Sequence, residues 1–343
     1  MRKPYCFFIL SLLAGCGPSG TVGNVQDVLL DEQQFRAEIR LQGIETGLAI
    51  NRPCDVRYHP GGFLILSDTQ DGMLLKIIEI ASGREHWLLN RGRASQEALS
   101  VKDIAVTEDN GLFVSSPQDR KLIHYRLAAD RQSFVLSGIV ESEAQFLRAM
   151  PCLQGGYVLE ASSSSGCRLL LADSAGAVTD TLGSFPAIPG NSVANNALFQ
   201  STLAVGPDGK TMATAYASLD YIDIYDGMHL RARLSGPERA IPEVQVRSTP
   251  IGEAYSFSPV RNAYAGTSIT TDGIWVGRIG VTISDEADYL RGISSIYRFA
   301  LDGEPQRKYE LDRELVSFDV DEAGGRIYGV TAEAEARILC FEL

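Results

Sequence analysis

Residues 203–226 read LAVGPDGKTMATAYASLDYIDIYD. The stretch opens on a short apolar strand, Leu203-Ala204-Val205. Pro207-Asp208-Gly209 then makes a turn. Proline presets φ, the aspartate side chain can bond nearby backbone amides, and glycine takes conformations other residues avoid. A second apolar run follows, and then Tyr221 to Asp226, which alternates apolar with polar residues as a strand with two unlike faces does.

Working outward, the same turn recurs. Its copies are HPGGFLIL, EDNGLFV, LQGGYVLE, PDGKTMA, TTDGIWV and AGGRIYGV. Their glycines are Gly62, Gly111, Gly156, Gly209, Gly273 and Gly325, at spacings of 49, 45, 53, 64 and 52 residues. β-rich units repeating near fifty residues point to propeller blades. Each unit has one strand before the turn, as in DVRYH, and one after it, as in FLILSD. A third follows, as in LLKIIEI, and a fourth, as in HWLLN. The sixth unit stops at Leu343 without a fourth strand. Residues 34–41, QFRAEIRL with its neighbours, alternate in the same way and precede the first unit. Pairing them beside RILCFEL would close a ring and remove two exposed edges. The expectation is an all-β, six-bladed β-propeller over residues 33–343, with the last blade closed by the N-terminal strand.

The composition agrees with such a domain. Of 343 residues, 45% are apolar and 22% charged, with a net charge of −12. A nucleic-acid partner normally demands a basic footprint, and this acidic chain has none. His59, His86, His124 and His229 are scattered, so a multi-histidine metal site is not expected, and no cofactor motif is present.

The first residues, MRKPYCFFILSLLAGC, read as an address. Arg2 and Lys3 precede an apolar run, Tyr5 to Leu13, that is too short to span a bilayer. Leu13-Ala14-Gly15-Cys16 resembles a bacterial lipobox, in which the cysteine takes lipid and becomes the mature N-terminus. Residues 1–15 are then a lipoprotein signal peptide, and residues 16–32 a lipidated, flexible tether of small polar residues. Gly17 stands where an inner-membrane retention signal usually has aspartate. No acidic cluster of the kind that exports some lipoproteins to the surface follows Cys16. An outer-membrane anchor facing the periplasm is expected. Cys54, Cys152, Cys167 and Cys340 remain, and each is read as a small buried residue rather than half of a disulfide.

With these features the chain resembles the TolB-like six-bladed propellers found as lipoproteins in Bacteroidota. The resemblance covers about residues 30–343. It is strongest over residues 203–226 and over 296–330, IYRFALDGEPQRKYELDRELVSFDVDEAGGRIYGV. It implies the fold and the anchor, and it brings no catalytic residue with it.

In a propeller, the long connections at 184–200, 236–262 and 280–294 all fall on one face. Long loops in compact domains are usually functional or disordered. They carry Gln200, Arg247, Tyr255, Phe257, Arg261, Tyr289 and Arg291, and the channel mouth on the same face adds Arg148. Aromatics with arginines and amides suit a protein, peptide or glycan partner. The ring expected at the mouth is Asp55, Asp103, Arg148, Ser201, Tyr264 and Ser317, able to hold a polar ligand or ordered water. An alternative is a lactonase-like hydrolase holding a divalent cation on Asp55 and Asp103. That ring offers no third or fourth ligand, and no G-x-S-x-G elbow or P-loop exists. The sequence therefore favours a binding module over an enzyme.

Overall fold

A computed structural model describes residues 27–161, 167–186, 188, 198–239, 241–249 and 252–343. The expected signal peptide, Cys16 and the start of the tether lie outside the described residues, as do residues 189–197 of the first long connection.

Among the described residues, six four-stranded antiparallel blades follow one another along the chain. Blades 1 to 3 begin at the strands Asp55–His59, Asp103–Val106 and Phe146–Pro151, and blade 4 at Ala204–Val205. Blades 5 and 6 are joined by one long strand, Pro305–Asp321, whose first half is the outer strand of blade 5 and whose second half is the inner strand of blade 6. The expected turns and strands are where the repeat placed them. At Gly209 the reason for glycine is a φ of +64°. At Gly111 it is close approach, since a Cβ would lie 2.5 Å from the carbonyl oxygen of Tyr125.

Apolar residues from each pair of neighbouring blades form a shared cluster. Phe63 and Ile104 join blades 1 and 2, Phe113 and Phe146 blades 2 and 3, and Met150 and Leu203 blades 3 and 4. Ile224 and Tyr264 join blades 4 and 5, Trp275 and Phe318 blades 5 and 6, and Val56 and Val330 blades 6 and 1. The last of these closes the ring.

The N-terminal chain closes blade 6, but through a different segment from the one expected. Ile44–Glu45 pairs antiparallel with Leu339–Cys340 as the fourth strand. Residues 37–41 instead lie parallel to the outer strand of blade 5, with Ala37 opposite Arg307 and Leu41 opposite Leu311. Their apolar side chains explain the choice. Leu41 and Ile39 pack into the cluster of Trp275 and Tyr309, and the Phe35 ring lies 4.7 Å from that of Tyr297. Part of the expected tether is also docked: Asp27–Leu29 pairs parallel with the outer strand of blade 4, and Leu30 is buried between blades 4 and 5.

The insertion at 236–262 contains an unexpected hairpin, Glu243–Thr249 with Gly252–Ser258. Cys54, Cys152 and Cys340 are free thiols, but none is buried as expected: Cys54 is exposed, and Cys152 and Cys340 are half-buried. No helix among the described residues is long and apolar enough to cross a membrane.

Candidate binding site at the channel mouth

The first strand of each blade starts at the axis of the ring, and there the chain leaves a cavity of about 310 Å3. Asp55, Arg148, Ser201, Tyr264 and Ser317 line it, so five of the six residues expected in the ring do meet. The sixth, Asp103, is buried directly behind Arg148, 2.6 Å away. Arg57, Lys102, Glu160, Gln200, Thr202 and Thr267 add to the polar lining.

These groups mostly bond one another across the seams between blades. Arg57 donates to the carbonyl oxygens of Ile104 at 3.0 Å and Phe318 at 3.2 Å, spanning blades 6, 1 and 2. Asp103 accepts from Ser115 of its own blade and from the Ala149 amide and Arg148 of blade 3. Glu160 accepts from the Ser201 amide of blade 4 at 3.1 Å. The hydroxyls of Thr202 and Thr267 join blades 4 and 5, and Tyr264 donates to Asp220 at 2.9 Å across the same seam. Ser268 donates to Asp319 at 2.6 Å, and Ser317 to Asp55 at 2.6 Å, linking blades 5, 6 and 1. A buried polar group is costly unless paired, and the ring pairs them.

The electrostatics follow from that pairing. Burial pushes the Asp55 carboxyl up from its ordinary value, against the pull of the Arg57 guanidinium 3.3 Å away. Burial likewise pushes Glu160 up, opposed by Arg168 and Arg148. Arg168 is 1% exposed, lies 3.0 Å from Glu160 and stacks over the ring of Tyr216 at 5.0 Å. Guanidinium groups therefore stand beside the two carboxylates that the hydrolase alternative would give to a cation. Among the described residues, no group of three His, Cys, Asp or Glu side chains is placed to hold a metal.

Residues 81–323 match the TolB-like 6-blade propeller-like family, which spans the larger part of the chain. The chain belongs to that family. No curated protein sequence matches it. Among solved structures, Raptor of Chaetomium thermophilum is 9% identical, with a TM-score of 0.50 over 87% of this chain and 29% of its own. A streptogramin B lyase is 12% identical, with a TM-score of 0.49 over 88% and 97% of the two chains. Regucalcin, a calcium-binding protein of Agrobacterium tumefaciens, is 13% identical, with a TM-score of 0.48 over 89% and 95%. At these identities a likeness speaks to fold alone.

On this TolB-like propeller the insertions interlock beside the mouth. Val244 and Phe257 of the hairpin pack on a cluster holding Phe185 and Phe199 of the preceding insertion. The Ile283 amide donates to the Val260 carbonyl at 2.9 Å, and the Asn262 amide group to the Asp288 carbonyl at 3.4 Å. The third insertion is thus tied to the second. The sequence-expected residues sort into three kinds. Gln200, Arg247 and Tyr289 are presented to solvent, Tyr289 being 61% exposed. Arg291 is exposed but paired with Glu314. Phe257 pins the hairpin, and Arg261 is buried against Glu238 and Thr282, so neither is presented to a partner. Tyr255 pairs with Val246 in the hairpin, and its side chain lies outside the described part.

Arg57, Glu160 and Arg168 were missed by the sequence reading. For Arg57 the signal was available: it is two residues after Asp55 in an alternating strand, hence on the same inward face. Glu160 ends the otherwise apolar Tyr157-Val158-Leu159 and gives no such sign.

Proposed function

We propose that this protein is a lipid-anchored binding module of the bacterial cell envelope. In this reading Cys16 takes the acyl chains and holds the propeller at the outer membrane, facing the periplasm. The lipoproteins of Bacteroidota are the setting its sequence resemblance suggests. The insertion face engages a protein, peptide or glycan. One observation carries the proposal: the insertions between blades 3 and 4, between blades 4 and 5 and within blade 5 pack on one another, and Gln200 of the first lines the channel mouth. Gln200, Arg247 and Tyr289 are left outward. Independent loops have no need to pack together, whereas a contact surface gains rigidity from it and so loses less entropy on binding.

Photo-crosslinking in cells tests the face. A crosslinker at Gln200, Arg247 or Tyr289 should trap one defined partner, and the adduct should vanish in an Arg247→Glu, Tyr289→Ala background. A crosslinker at Asp302, on the turn face of blade 5, should trap none. Equal trapping from both faces would discard the assignment. The anchor has its own test. Cys16→Ser should abolish lipid labelling and release the protein from membranes, and unchanged fractionation would remove that part of the reading.

A further inference from the structure

On the opposite face, the turns of blades 2, 3 and 4 enclose a second cavity of about 560 Å3. Ala105, Val106, Pro151, Leu153, Val205 and Pro207 give it apolar walls. Its polar lining is of one kind. His124 and Tyr157 are hydrogen-bonded to each other, Nε2 to Oη, at 2.8 Å. Glu108 and Asp109 bring two carboxylates, and no lysine or arginine lines the space.

The protonation states sharpen the picture. Burial keeps the His124 imidazole below its ordinary value, and Asp109 is close enough to pull against that. Burial holds the Tyr157 phenol up at about 12. At neutral pH the imidazole and phenol are therefore uncharged. Asp109 is held low by the Thr107 hydroxyl, which donates to its Oδ1 at 2.5 Å, and by the Gly111 amide. Two bonds to one oxygen leave acceptor capacity on the carboxylate. The rim of the cavity thus carries net negative charge, on the exposed Glu108 and Asp109, above apolar walls and hydrogen-bonding groups. Pockets of this size with few convergent polar groups are the usual form of a small-ligand site.

We propose that this cavity binds a primary ammonium group on a short alkyl arm. The arm would lie along the apolar walls, and the ammonium would donate to Asp109, with Glu108 adding charge. An anion is disfavoured by both carboxylates, and a neutral alcohol would leave their charge unanswered. A free alkylamine and a lysine side chain of a partner peptide present the same chemistry.

Calorimetry on the full chain tests this with n-pentylammonium, 1-pentanol, pentanoate and a doubly capped lysine. Pentylammonium should bind, and both pentanol and pentanoate should be at least tenfold weaker. Asp109→Asn should lower pentylammonium affinity at least tenfold. Leu153→Trp, at an exposed wall position away from the carboxylates, should abolish binding while leaving the melting curve unchanged. Alkylation of Cys152, which lines the cavity, should slow when pentylammonium is bound. Capped lysine binding as tightly as pentylammonium would name a peptide as the source, and pentylammonium alone binding would name a free amine. Equal binding of pentanol, or affinity unchanged in Asp109→Asn, would overturn the proposal.

Discussion

Arg148 lies 2.6 Å from Asp103 and 3.8 Å from Glu160, and both carboxylates are buried. Removing the guanidinium would leave the Asp103 carboxylate without its counter-charge, held only by the Ser115 hydroxyl and the Ala149 amide. Arg148→Ala should therefore cost about 3 kcal/mol, read by urea denaturation, and adding Asp103→Asn should recover part of it. If Asp103 were a metal ligand instead, calcium would raise the melting temperature of the wild type, and no such rise is expected. Glu32 offers a pH-dependent counterpart. Its burial favours the neutral acid, but hydrogen bonds from Tyr297 at 2.5 Å and Lys308 at 3.0 Å outweigh this and hold its pKa below the ordinary value. A lowered carboxylate stabilises the fold above its unfolded pKa, and the contribution is lost as pH falls through the folded one. Glu32→Gln should cost about 1 kcal/mol at pH 7, discounted for exposure. The difference should shrink progressively as pH falls below the ordinary carboxylate range in parallel urea titrations. Asp103 and Arg148 were legible because they sit near the starts of inner strands. Glu160 and Arg168 were not: they pair with each other from neighbouring strands of blade 3, and nothing local in either segment points to the other.

Among the strands and loops, the hairpin at 243–258 is the clearest addition to the repeat. Its sign was present: Val244 and Val246 alternate with Gln245 and Arg247, and Pro250 and Gly252 mark a turn. Residues in a long connection between two recognised blades are easily taken for loop. Among the described side chains of this hairpin, only Val244 and Phe257 join an apolar cluster. Replacing residues 243–258 with a short glycine–serine linker should leave the far-ultraviolet circular dichroism intact and shift the melting temperature by only a few degrees. The docked N-terminal segment should behave differently. Leu30 is 1% exposed in the cluster between blades 4 and 5, so Leu30→Ala should cost about 3 kcal/mol in the same urea assay. Gly236 faces it with a φ of +129°, and a Cβ there would lie 2.5 Å from the Leu30 carbonyl oxygen. Gly236→Ala should therefore loosen this segment, measured as faster proteolysis near residue 30.

The ring is held shut by both ends of the chain, since Ile44–Glu45 completes the blade that the C-terminal strand Ile338–Glu342 belongs to. Ile338 also packs into the cluster joining blades 6 and 1. Removing residues 338–343 should open that seam and abolish the cooperative melt, and a native-like transition in the truncated chain would show that closure matters less than the blades themselves. The blades were readable in the linear chain because their signals are local. A turn glycine needs its own φ or the approach of a nearby strand, and alternation records two faces of one strand. Six repeats of those signals suffice for six sheets. Which strand seals the ring has no local signal. Residues 37–41 carry the same alternation whether they lie beside Leu339 or beside Arg307. The packing of Ile39 and Leu41 against the Trp275 and Tyr309 cluster chooses between them. The channel residues follow the same division: their inward direction is set by strand periodicity, while which of them bond one another is set by the distance across each seam.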